Sequence, residues 1–415
     1  MRLTRRELLL GAAALPALAA KKSVARPSVL LIAVEDLGAW MLGCYGNREI
    51  RTPNIDILAR SGVRFLNNYA AAPVPKAGRA ALLTGQSPRQ LGFAADAAVP
   101  PSLGSQPMLS DFLSGQGYQC GYAGACDFAA RPQHGFQSVD TAKDYAAVAA
   151  KAAQFLDARK ADQPFLLVLS YALSSAVSTK YEKMYAGTSF NTIGWDRPAP
   201  KAALNKELLR DTVGNIRKAA AAVTALDDQI APLLQKLDER GLRDETLIVF
   251  TGTNGVLLGR HGLWGDARAS APPNLYEEVT AVPLLYQWQG HIPPEAMRPE
   301  FVSGYDLVPA LCELAGASVP AGRKTPGRSY LPAVLNKPFP KKQPWRSLVF
   351  SEFGNALMVR DKRFKLVLPS GRNAPGELYD EVADPRERVN QYDNPRFVSV
   401  RDGLAHEIEN WTKTF

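Results

Sequence analysis

The chain has 415 residues, 46% apolar and 21% charged, with a formal net charge of +9. That length buries a large core with a smaller unit attached, and that composition excludes a disordered or membrane-embedded chain. The excess falls to about +7 once a leader carrying Arg2, Arg5 and Arg6 against Glu7 is set aside. The remaining lysines and arginines are scattered, without aromatic interleaving or a basic helix face, which argues against nucleic acid as a partner.

Residues 1–20 read as an export signal, with a basic start, an apolar run from Leu8 to Leu18 and Ala17-Leu18-Ala19 as the small-x-small cleavage site. Thr4-Arg5-Arg6-Glu7-Leu8-Leu9 is close to the twin-arginine pattern, which implies export in the folded state; a general secretory signal with two adjacent arginines is the alternative. The apolar run is short of the roughly 20 residues a spanning helix needs, and no transmembrane candidate follows it. The expected destination is periplasmic or extracellular. Cys44, Cys120, Cys126 and Cys312 include no pair at zinc-finger spacing. An oxidising destination permits a Cys120 to Cys126 bridge; small buried hydrophobes are the other reading.

Residues 28–34 form a continuous apolar run, the pattern of a central strand covered on both faces, and similar runs recur at 165–170, 246–251 and 282–288. Helical periodicity marks 54–61, 76–83, 108–116, 142–160, 207–240 and 305–315. The alternation predicts an α/β fold: a largely parallel central sheet sandwiched by helices, over residues 27–336. Polar residues just past the carboxyl ends of such strands gather in one crevice, so Glu35 and Asp36 are expected beside Thr253 and Asn254. A Pro- and Lys-rich stretch around 338–344 then reads as a linker. Short strands at 347–353, 356–359 and 364–368, with a helix near 400–411, predict a small antiparallel α+β subdomain over 345–415.

Several blocks in order carry a resemblance to the type I sulfatases of the alkaline-phosphatase-like superfamily. Pro73 to Gly85, PVPKAGRAALLTG, is similar to the family signature, with Arg79-Ala80-Ala81-Leu82-Leu83-Thr84-Gly85 matching its second half without a gap. Val34-Glu35-Asp36-Leu37-Gly38 resembles the first acidic loop, and Thr253-Asn254-Gly255 with Gly259-Arg260-His261-Gly262-Leu263-Trp264-Gly265 the second metal loop. Glu377-Leu378-Tyr379-Asp380 with Asp384-Pro385 resembles the carboxyl-terminal subdomain.

What the resemblance implies is a formylglycine nucleophile at a helix start, a divalent cation, usually calcium, held by carboxylates and an amide, and Lys, Arg and His side chains gripping the sulfate. Counted back from Arg79, the nucleophile position is Pro75, which has no thiol or hydroxyl to oxidise, so no formylglycine is expected. A proline there suits the first helical turn instead. The metal positions map to a partial site of Glu35, Asp36 and Asn254, with Thr253 where an aspartate is expected. The anion grip maps to Ala125-Cys126-Asp127, to Ser175 and to Asp266, so expected cations give way to neutral or acidic residues. If Ala125, Asp127, Ser175, Thr253, His261 and Asp266 all line the crevice, Glu35, Asp36, Asp127 and Asp266 face only Arg79 and Lys76. Two or more net negative charges in a recessed cleft would repel a sulfate ester by on the order of several kcal/mol. Arg79 then either packs against the first acidic loop or binds ligand, and His261 is expected to hold the fold by hydrogen bonding.

The sequence thus predicts an exported sulfatase-like protein, catalytically degenerate, that binds a small molecule, glycan or partner in the old crevice, with a cationic or polyhydroxylated ligand favoured. The alternative is a metal-dependent sulfate or phosphate ester hydrolase in which Glu35, Asp36, Asp127 and Asp266 recruit a cation and a water. Oligomeric state leaves no signal in the sequence.

Overall fold

The computed structural model describes residues 26–93, 106–126, 134–142, 144–173, 177–200, 202–320, 322–369 and 375–415. Residues 1–20, where an export signal is expected, and the positions Asp127 and Ser175 lie outside these residues.

The first strand, β1 (Ser28–Glu35), is buried along its whole length. Its side chains alternate between two apolar clusters: Val29, Leu31 and Ala33 enter one, Leu30, Ile32 and Val34 the other. A strand with helices on both faces needs apolar residues at every position, which is why this run shows no alternation. Around it an eight-stranded sheet has the order β4-β3-β5-β1-β6-β7-β2-β8. The members are β2 (Val63–Tyr69), β3 (Gln119–Gly124), β4 (Ser138–Asp140), β5 (Phe165–Ala172), β6 (Thr246–Gly252), β7 (Leu284–Gln287) and β8 (Ala296–Ser303). Pairing is parallel throughout except at β7, which runs against both β6 and β2. The segment between β6 and β7 holds only short helical turns, so no crossover helix carries the chain back to start a parallel strand.

The predicted helices appear as α1 (Pro53–Arg60), α2 (Pro75–Thr84), α3 (Leu109–Ser114), α4 (Tyr145–Ala158), α6 (Thr212–Glu239) and α8 (Leu307–Ala315). Between α4 and α6 lies the short α5 (Thr179–Met184), and before β7 and after α8 come α7 (Glu277–Thr280) and α9 (Leu331–Val334). The run predicted as one helix over 207–240 is divided: Lys206–Asp211 is a 3-10 turn, and Asp211 then caps α6 by accepting from Gly214 N–H at 3.0 Å. Among the described residues no helix is long and apolar enough to cross a membrane.

The carboxyl-terminal sheet is antiparallel, in the order β12-β11-β10-β9. It comprises β9 (Val349–Phe353), β10 (Ala356–Arg360), β11 (Phe364–Leu368) and β12 (Glu377–Asp380), covered by α10 (Val398–Thr414). It shares an apolar cluster with the large sheet, where Tyr69, Leu275 and Phe301 meet Val349, Met358 and Val367. Cys120 is a free, buried thiol, as is Cys312, so the Cys120 to Cys126 bridge is not formed.

Candidate functional site in the crevice at the sheet's carboxyl end

Because β1 and β6 are parallel neighbours, their exit loops emerge side by side. Thr253 N–H donates to the Val34 carbonyl at 2.8 Å and Leu37 N–H to the Asn254 carbonyl at 2.9 Å. Asp36 turns the chain with φ of 56°, in the left-handed region that Asp tolerates better than most residues. Its Oδ1 accepts from Asn254 Nδ2 at 2.7 Å, while its own N–H donates to Asn254 Oδ1 at 3.2 Å. The Thr253 hydroxyl donates to that same Oδ1 at 3.1 Å. A backbone N–H only donates, so it fixes the amide: the carbonyl end faces Asp36 N–H, and the NH2 end faces the carboxylate.

The start of α2 enters the same crevice because Gly78 lies against the Thr253 backbone. A Cβ there would collide with the Thr253 and Ala72 carbonyl oxygens. Val74 is extended and Pro75 opens the helix, as its fixed φ suits; Gly85, at φ of 72°, closes it. One turn after Pro75, Arg79 is 2% exposed and forms an ion pair with Glu35, the last residue of β1. Lys76 lies on the same turn but is exposed.

Asp266 is buried and caps the 3-10 turn Ala267–Ala269 by accepting from Arg268 N–H at 2.9 Å. Its carboxylate also takes Arg268 Nε at 3.0 Å and Nη2 at 2.6 Å. The predicted charge balance is therefore corrected. Arg268 adds a cation beyond Arg79 and Lys76; with Arg79 on Glu35 and Arg268 on Asp266, Asp36 is left without an ion-pair partner among the described residues. Burial, reinforced by the negative Asp266, pushes the Asp36 carboxyl up to about 6, against the Asn254 hydrogen bond and the charge of Arg268. A signal for Arg268 was present: an Asp two residues before an Arg at a turn start suits both a cap and a local ion pair.

His261 lies at the edge of this region with φ of 55°. Its ring stacks on Tyr276 at 3.7 Å between centroids, its Nε2 lies 3.2 Å from Glu278 Oε2, and its N–H donates to Asp196 at 2.8 Å. These contacts tie its ring and backbone to three neighbouring residues. Ala125 follows the end of β3, its N–H donating to the Ser170 carbonyl at 2.8 Å.

A hard divalent cation wants six to eight oxygen donors. Here Glu35 is taken by Arg79, Asn254 turns its NH2 to Asp36, the Thr253 hydroxyl is spent on Asn254, and Pro75 offers no donor. The predicted set of Glu35, Asp36 and Asn254 does not fit calcium in this arrangement. A different grouping, His261, Glu278 and Glu387, has ligand atoms within 4.8 Å of one another. Two cations already neutralise it: Arg260 Nη1 is 3.3 Å from Glu278 and the buried Lys365 Nζ is 2.5 Å from Glu387.

A largely parallel sheet between helix layers, with the loops after β1 and β6 and the start of α2 converging at its carboxyl end, defines an alkaline-phosphatase-like α/β protein. The chain belongs to the sulfatase family: the Sulfatase family model matches residues 27–317, and the model for the N-sulphoglucosamine sulphohydrolase carboxyl-terminal region matches 259–414. Arylsulfatase A of Homo sapiens is 30% identical, covering 89% of this chain and 80% of that protein. N-acetylglucosamine-6-O-sulfatase of Bacteroides thetaiotaomicron is 23% identical over 95% and 88%. A solved structure of a protein with its substrate D-glucosamine-2-N,6-O-disulfate has a TM-score of 0.81 at 22% identity, covering 94% of this chain and 98% of that one. Phosphonate monoester hydrolase of Agrobacterium radiobacter has a TM-score of 0.75, also at 22%, covering 93% and 95%. At that identity the structural likenesses speak for the fold.

Proposed function

We propose that this sulfatase-family protein is exported, does not hydrolyse sulfate esters, and binds a small ligand in the crevice beside Asp36. The observation that carries this reading is Pro75 at the first position of α2, where the family's mechanism needs an oxidisable side chain. Its neighbours support it. Arg79, the one retained signature cation, is committed to Glu35, and Asp266, where the family has a lysine, is committed to Arg268. The hydrolase alternative needs free carboxylates to recruit a metal, and Glu35 and Asp266 are held in ion pairs. The ligand favoured is cationic or polyhydroxylated, a glycan among the candidates, because Asp36 repels an anion. The leader over residues 1–20 supports delivery to the periplasm or beyond.

Turnover of chromogenic aryl sulfate and phosphate esters, measured with calcium, magnesium or manganese added, tests the proposal. The expected result is no turnover above buffer, for the wild type and for Pro75→Cys produced alongside a formylglycine-generating enzyme. Metal-dependent turnover by the wild type that disappears in Asp36→Ala would overturn it.

A further inference from the structure

The walls of the crevice discriminate between the two kinds of ligand. Beside Asp36 lies a cavity of about 300 Å³, at the lower end of the range for small-ligand sites. Its lining includes Met41, Leu208, Val256, Leu258 and Trp264. Met41, Val256, Leu258 and Trp264 are themselves buried, so core packing fixes these surfaces. The polar residues on the wall are Asp36, Asn215 and Lys218. The Asn215 amide donates to the Leu208 carbonyl at 2.9 Å, and Lys218 is exposed, with no ion pair to Asp36 among the described residues. Asp36 Oδ1 is engaged by Asn254, while Oδ2 accepts no hydrogen bond from a described residue. The chamber is thus apolar on most of its surface and presents one carboxylate oxygen, with the exposed Lys218 as the other charged residue on its wall.

We infer that this cavity binds a small amphipathic monoamine, its ammonium group on Asp36 Oδ2 and a short alkyl or single-ring body against Leu258 and Trp264. The inference rests on the binding-protein reading above and narrows its ligand. An ammonium gains charge-assisted hydrogen bonds to a carboxylate that has no paired cation, and its hydrocarbon body leaves water for matching walls. A polyol fits poorly, because hydroxyls set against apolar side chains lose water without gaining partners. A sulfate or carboxylate ligand meets like charge.

The test is calorimetric titration of the full chain with n-hexylammonium, benzylammonium, n-hexanol, n-hexanoate, glucosamine and calcium chloride. Saturable binding of both hydrophobic amines is expected, with hexanol, hexanoate and glucosamine weaker by at least about tenfold. Asp36→Asn should abolish the preference for hexylammonium over hexanol. Ala219→Phe, which adds a ring to the cavity wall from α6 and leaves the Asp36 carboxylate in the sequence, should abolish binding of both amines while circular dichroism stays that of the wild type. Equal binding of hexanol and hexylammonium, tighter binding of glucosamine or calcium, amine binding that survives Ala219→Phe, or no amine binding overturns the inference. Those results leave the absence of ester hydrolysis untouched, and turnover of an aryl sulfate overturns the parent reading by a separate measurement.

Discussion

Replacing Arg79 by alanine strands Glu35, which is 8% exposed, as an unpaired carboxylate beneath the first helical turn of α2. Breaking one side of a buried ion pair costs about 3–5 kcal/mol, since the remaining charge has lost both water and partner. For a chain of this length the unfolding entropy near 60 °C is about 0.8 kcal/mol/K, so that loss lowers Tm by roughly 4–6 °C. Replacing both partners by apolar residues of similar size, Glu35→Leu with Arg79→Met, removes the charge as well as the pair, and should recover most of the loss. Differential scanning calorimetry of the wild type, the single variant and the double variant gives all three numbers. An Arg79→Ala Tm within a degree of the wild type, or a double variant as unstable as the single one, would refute the reasoning. Either result would return Arg79 to a role in gripping ligand.

Two further outcomes follow from the same geometry. Gly78→Ala drives a methyl into the Thr253 carbonyl and should cost about 1–3 kcal/mol, read as a lower thermal midpoint; an unchanged midpoint would show that α2 does not pack this closely. Burial pushes the Glu278 carboxyl up, yet the hydrogen bond and field of His261 and the charge of Arg260 overcome it and hold the group at about 2, below its ordinary 4.5. A depressed carboxylate stabilises the fold above pH 4.5 and loses that contribution as pH falls toward 2, here on the order of 3 kcal/mol. Urea unfolding across this window should therefore show a steeper acid loss for the wild type than for Glu278→Gln, and parallel curves would sink the assignment.

Much of the large sheet was legible because its central strands are apolar at every position. The segments 28–34, 165–170 and 246–251 could be placed from composition alone. The outer strands were not legible. β2 reads VRFLNNY and β8 AMRPEFVS, with polar residues and a proline, because strands toward the sheet's edge are only partly covered. The reversal of β7 was hidden for another reason: strand direction depends on where a connection crosses the sheet, which a run of apolar residues does not encode. At the crevice, the meeting of Asp36 with Asn254 was foreseeable from strand ends, whereas the commitment of Asp266 to Arg268 depends on a turn conformation that the residue order does not impose.

The sequence by itself determined what the side chains are able to do. A proline has no oxygen or sulfur to convert, wherever the fold carries Pro75, and the succession of blocks around it marks the sulfatase family. Only the tertiary structure decided which charges cancel, which end of the Asn254 amide meets Asp36, and that the space beside that carboxylate is walled by Leu258 and Trp264. The reason is physical. Chemical capability is local to a residue, whereas charge balance and the polarity of a cavity are properties of neighbours brought together from more than two hundred positions apart by the order of strands in the sheet.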